Sequence, residues 1–109
     1  MRINFNDIEI SELQNYKDGI GKTYSKIVLE GNKKIMLHTI KKGCSIGFHT
    51  HENCSEMIFI LNGNPTIIEN DGLSYVASRN EVIILKPGEG HAIKNDTDED
   101  VEIFTVVYK

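Results

Sequence analysis

The 109 residues predict an all-β domain, a sandwich or barrel of antiparallel strands. Apolar positions recur with period two, the spacing that places alternate side chains on one face of a strand. Turn-forming residues break these runs at short intervals. No apolar stripe of helical spacing is long enough to bury one side of a helix.

Strands are expected near 2–6, 23–29, 33–40, 46–51, 55–61, 65–69, 73–78, 81–85, 90–95 and 101–108. Residues 7–20 leave two readings open: Ile8-Glu9-Ile10 as a strand, or Ser11-Glu12-Leu13-Gln14 as a short helical turn. Gly31-Asn32 separates the second and third strands, and Lys41-Lys42-Gly43 turns the chain after the third. Asn62-Gly63-Asn64 ends the strand at 55–61. Asp71-Gly72, between Ile67-Ile68 and Tyr75-Val76, is a hairpin signal, because both residues tolerate the left-handed backbone of a tight turn. The acidic run Asp96–Asp100 reads as a solvated turn before the last strand; it lacks the spacing and glycine of a calcium loop. With neither repeat nor linker, residues 1–109 are expected to form one domain, the segment 1–22 adding a strand and a dimer arm.

Two strands are apolar on both faces. In Glu56–Leu61 one parity turns Glu56, Ile58 and Ile60 inward and leaves Met57, Phe59 and Leu61 outside; Val101–Tyr108 has the same character. An outward apolar face needs cover, and a second copy of the chain is the simplest source, so a homodimer is expected. The competing cover is the chain's own N-terminal segment.

A net charge of −4, with acidic residues dispersed except for the run 96–100, offers no basic patch, so nucleic acid is not expected as a partner. No segment approaches the ~18 apolar residues of a membrane span, and the first residues lack the apolar run of a signal peptide. A cytoplasmic location is therefore expected. Cys44 and Cys54 form no Cys-x-x-Cys pair and read as reduced, packed thiols.

His49-Thr50-His51 carries the most chemistry. In extended backbone its two imidazoles share a face, roughly 7 Å apart along the chain, so both can reach one ion. Glu56 and His91 complete a set of three nitrogens and one oxygen, suited to Mn, Fe, Co, Ni or Zn. Four protein ligands leave a six-coordinate ion two exchangeable positions, an open site rather than a closed structural one.

Gly43, His49, His51, Glu56 and Gly63 stand at the spacing of the first motif of the cupin superfamily, and the chain resembles a small single-domain cupin over roughly residues 33–107. His91-Ala92-Ile93-Lys94-Asn95 fits the end of the second motif. Pro87 stands one residue closer to His91 than is usual there, and Glu81 holds the place of a common glycine. The resemblance implies a double-stranded β-helix, or jelly-roll barrel, with one divalent transition metal on His49, His51, Glu56 and His91. It also implies chemistry on small oxygen-rich molecules, since similar cupins include isomerases, epimerases, dioxygenases, decarboxylases and lyases.

His38 shares the face of Ile40 and Met36 by alternation, which turns it toward the barrel interior as a candidate acid, base or substrate contact. The bland reading, a histidine satisfied by neighbouring backbone or facing solvent, stays open beside it. Tyr75 is expected to pack in the sheet and Lys86 to face solvent. Two functional classes follow. One is a metal-dependent enzyme on a small metabolite with two neighbouring oxygens: a hydroxy acid, keto acid or enediol sugar. The other is a non-catalytic module that captures such a ligand; fold and ligands are common to both.

Overall fold

The computed structural model describes residues 1–109, which form ten strands and two 3-10 turns, Phe5–Asp7 and Tyr16–Asp18. The strands are β1 (Ser11–Gln14), β2 (Lys22–Glu30), β3 (Lys33–Ile40), β4 (Ser45–Thr50) and β5 (Ser55–Asn62). They continue with β6 (Thr66–Glu69), β7 (Ser74–Val76), β8 (Val82–Leu85), β9 (Gly90–Lys94) and β10 (Val101–Tyr108). A six-stranded antiparallel sheet, in the order β1-β2-β3-β10-β5-β8, faces a four-stranded one, β4-β9-β6-β7. The result is the jelly-roll barrel of a double-stranded β-helix.

The alternation seen in the sequence becomes the core. Ile40, Ile58, Ile60, Ile67, Val101 and Ile103 are fully buried between the sheets, each contributing about 1.5–3 kcal/mol by leaving water. Glu56, Ile58 and Ile60 turn inward while Met57 stays exposed and Phe59 and Leu61 half-buried. Met36, His38 and Ile40 share the interior face of β3. The 96–100 turn is tied down by buried Asn95, whose amide donates to the carbonyls of Ile40 (2.8 Å) and Glu99 (2.7 Å). Lys41–Asp100 and Lys42–Asp98 ion pairs lie over it in solvent.

The N-terminal region departs from expectation. Residues 2–6 form no strand: the Asn4 side chain accepts from the Asn6 N–H and starts the turn Phe5–Asp7, and the Lys26 ammonium donates to the Phe5 carbonyl. Neither reading of 7–20 holds. Ser11–Gln14 is extended, because the free edge of β2 supplies a ladder from Ser11↔Ser25 to Gln14↔Lys22. The segment does add a strand, within its own chain. Phe5 meets Phe104 edge-on at 6.1 Å and covers part of the outer face of the large sheet, while Met57, Val82 and Ile84 remain exposed there.

No helix is long and apolar enough to cross a membrane.

Candidate metal centre

Three strands bring the four predicted ligands together. On β4 a register irregularity between Ile46 and His49 resets the alternation, so that Ile46 and His49 both line the interior although three positions apart. His49 faces His91 across the β4–β9 ladder, and their rings meet at 4.6 Å. His51 lies one residue past the end of β4, yet its ring stays 5.1 Å from that of His49. Glu56, second residue of β5, reaches in from the opposite sheet.

All three imidazoles converge on one oxygen. Glu56 Oε1 lies 3.4 Å from His51 Nε2, 3.5 Å from His91 Nε2 and 3.8 Å from His49 Nε2. His49, His51 and Glu56 each present a ligand atom within 4.8 Å of the others, a candidate metal-binding group; His91 adjoins it through the same carboxylate oxygen. The His49 ring is set by its outer partner. Nδ1 must donate to the Gly47 carbonyl at 3.0 Å, which leaves Nε2 as the bare lone pair facing Glu56.

The electrostatics suit ligation. Burial pushes His91 down to about 4, and burial lowers His51 as well, so both rings are neutral near pH 7 with lone pairs free. Burial alone would raise the Glu56 carboxyl, but a hydrogen bond from His49 and the charges that His91, His49 and His51 carry in their protonated forms outweigh it and hold it below the usual range. Buried Glu56 Oε1 and His51 Nε2 have no hydrogen-bond partner. Unpaired buried acceptors are costly, and a bound divalent cation would satisfy both, so the residues present fit the group.

Beyond the ligand candidates, the cavity is lined by Tyr16, Lys17, Lys34, Met36, His38, Ile46, Ile93, Ile103, Thr105 and Val107. The cavity holds about 40 Å³ of space for water-sized groups and opens to solvent. His38 is buried, pushed down to about 4 by burial, and paired through Nδ1 with Ser25 Oγ at 2.6 Å. It is thus both satisfied locally and part of the cavity wall. Tyr16 stands 5.8 Å from the His38 ring; burial and then the Glu56 charge raise its phenol, which stays protonated.

Sequence reasoning missed Tyr16, Lys17, Lys34 and Thr105. Alternation from Ile40 through His38 and Met36 reaches Lys34, and alternation from Val101 and Ile103 reaches Thr105, so two of the four were legible. No local pattern marks Tyr16 or Lys17. Tyr75 packs against the core and donates to Glu69 Oε2 at 2.6 Å, and Lys86 is exposed, as expected. Cys44 and Cys54 are unpaired and half-buried.

The departures in the second motif have a visible form. Lys86-Pro87-Gly88-Glu89 is a tight turn closed by Glu89 N–H to Lys86 O (3.0 Å), with Gly88 at φ +86°. The Glu81 carboxylate accepts from the Ser78 N–H in another turn, with Asn80 at φ +74°.

Comparison with known proteins agrees with the fold. The chain aligns over 99% of its length with a predicted oxalate decarboxylase from Thermotoga maritima, covering 98% of that chain at TM-score 0.92 and 24% identity. The polyketide cyclase RemF from Streptomyces resistomycificus superimposes at TM-score 0.82 and 17% identity, over 99% of this chain and 78% of its own. A conserved protein of unknown function from Streptococcus pyogenes reaches 26% identity at TM-score 0.70, over 80% of this chain and 74% of its own. Among curated protein sequences nothing matches. The family profile described as "Cupin domain" matches residues 36–107, two-thirds of the chain, and with the barrel and its inward histidines in place the chain belongs to the cupin family.

Proposed function

We propose that His49, His51, Glu56 and His91 hold one divalent transition metal, and that the chain is a metal-dependent enzyme acting on a small oxygen-rich metabolite. The observation that carries the reading is the convergence of three imidazole nitrogens on one buried carboxylate oxygen that has no hydrogen-bond partner. When bound, such an ion polarises a substrate oxygen as a Lewis acid.

The chain's own residues supply the rest. His38 is neutral at working pH and held through Nδ1 by Ser25; in the tautomer whose Nδ1–H donates to Ser25 Oγ, its Nε2 accepts a proton from a substrate and returns it elsewhere. Tyr16 keeps its phenolic proton and can donate a hydrogen bond to a developing oxyanion. Met36, Ile46, Ile93, Ile103 and Val107 exclude water from the reacting end. A proton carrier in the same cavity as the ligands favours catalysis; the largely apolar wall also suits the second reading, a non-catalytic module that captures a similar ligand.

Light scattering and metal analysis precede any search for turnover. Wild type should retain up to one metal per chain, and the double variant His49→Ala/His51→Ala none. Compounds with two neighbouring oxygens should raise the Tm of the metal-loaded wild type and leave that variant unmoved. Equal stabilisation of both would sink the metal-chelation reading. Consumption of a stabilising compound, lost in His38→Gln, supports the enzyme; binding without consumption supports the capture module. The reading includes a homodimer and, given two unpaired thiols, a reducing compartment such as the cytoplasm.

A further inference from the structure

Two lysines from different parts of the chain line the cavity, half-buried Lys34 and exposed Lys17, whose ammonium lies 5.4 Å from the centre of the Tyr16 ring; neither has a carboxylate partner. Lys17 belongs to the 3-10 turn Tyr16–Asp18 that packs on β4, and Lys34 to β3. Lys22, Lys41 and Lys42 are paired with Glu12, Asp100 and Asp98, whereas Lys17 and Lys34, like Lys26, Lys33, Lys86, Lys94 and Lys109, form no ion pair in a chain of net charge −4. Glu56, already assigned to the cation, is the one acidic side chain in the cavity wall.

Lys17 is held there against backbone preference. Asn15, Lys17 and Asp18 all have positive φ, 52°, 54° and 63°, a conformation that costs a non-glycine residue about 1–2 kcal/mol. The segment keeps it because Gly19 and Gly47 let two backbones touch: a Cβ at Gly47 would stand 2.0 Å from the Lys17 carbonyl oxygen. Deeper in the wall, Thr105 is 1% exposed and its hydroxyl has no partner. A buried, unpaired hydroxyl in the wall of a cavity is a hydrogen-bonding group left for a ligand.

We propose that Lys17 and Lys34 make this cavity a receptor for small organic acids, selecting the carboxylate anion over neutral sugars and amides. The inference rests on the metal reading above for the ligand's second anchor. The carboxylate faces the two ammonium groups, the apolar body lies against Met36, Ile93 and Ile103, and Thr105 takes a hydrogen bond from or gives one to the ligand's polar atom.

The test is calorimetric titration of zinc-loaded protein with 2-hydroxyisovalerate and with its amide, an uncharged isostere with the same two neighbouring oxygens. Wild type should bind the acid at least about tenfold more tightly, an advantage that shrinks as salt is raised. Lys17→Gln/Lys34→Gln should lose about tenfold on the acid and nothing on the amide, and Lys17→Arg/Lys34→Arg should keep both affinities. Equal losses on acid and amide, or no loss on either, would overturn the inference. A chelator arm separates the two readings. Acid binding that vanishes with the metal but ignores the lysine substitutions overturns the lysine role and leaves the metal site standing. Lysine-dependent acid binding that survives chelation overturns the metal anchor and keeps the anion receptor.

Discussion

Gly88 donates its backbone N–H to the carbonyl of His51 at 2.8 Å. This one bond ties the turn that delivers His91 to the end of the strand that delivers His49 and His51, so the two halves of the ligand set share a backbone link. It also explains how His51, already outside β4, keeps its place. Gly88 is left-handed at φ +86° with open space where a Cβ would go, so Gly88→Ala adds strain without a clash. The variant should lose about 1–2 kcal/mol in urea unfolding and bind metal more weakly. Unchanged metal affinity would show that the link is not what positions His51.

The opposite case is Gly47. A Cβ there would stand 2.0 Å from Lys17 O and 2.7 Å from Asp18 C, contacts that backbone must move to relieve. Gly47→Ala should cost at least about 2 kcal/mol and displace the Tyr16–Asp18 turn from the cavity. Protease nicking within residues 15–20, faster than in wild type, is the accompanying readout; wild-type resistance and stability would contradict the packing described.

The metal-free protein should lose stability as pH falls below about 6.5. His38 is neutral in the fold with its value pushed down to about 4 by burial, against an ordinary 6.5 in the unfolded chain. Between those values the unfolded state binds the extra proton, so stability is fully present above pH 6.5 and declines down to about pH 4. His38 alone should account for about 2 kcal/mol between pH 8 and pH 5. Denaturant midpoints across that range check this, and His38→Gln should flatten the slope by that amount. An unaltered slope would place the titration elsewhere.

Association through the outer face of the large sheet is the fourth expectation. Met57 and Ile84 are 38% and 62% exposed beside Val82, while Phe5 covers Phe104 from within the chain. Light scattering should give twice the monomer mass, and Met57→Glu/Ile84→Glu should give the monomer with its metal retained, because both side chains lie outside the cavity. A monomeric wild type across the micromolar range would mean that the N-terminal segment is cover enough.

By itself the sequence determined the all-β class, most strand positions and the inward parity of Glu56, Ile58, Ile60, Met36 and His38. Period-two burial is a local property, written in each strand before any strand finds its neighbour. The four ligand candidates were legible for the same reason, helped by the resemblance of their spacing to a known motif. Only the tertiary structure decided the rest. Ser11–Gln14 became a strand because the edge of β2 was free to pair with it, and residues 2–6 did not because Asn4 and Lys26 hold the Phe5 backbone in a turn. The positions of Tyr16 and Lys17 depend on Gly19 and Gly47 meeting across 28 residues of chain, and the shared interior face of Ile46 and His49 depends on an irregularity in the pairing with β9. Such contacts arise from the fit of distant backbones, a quantity that no stretch of sequence carries alone.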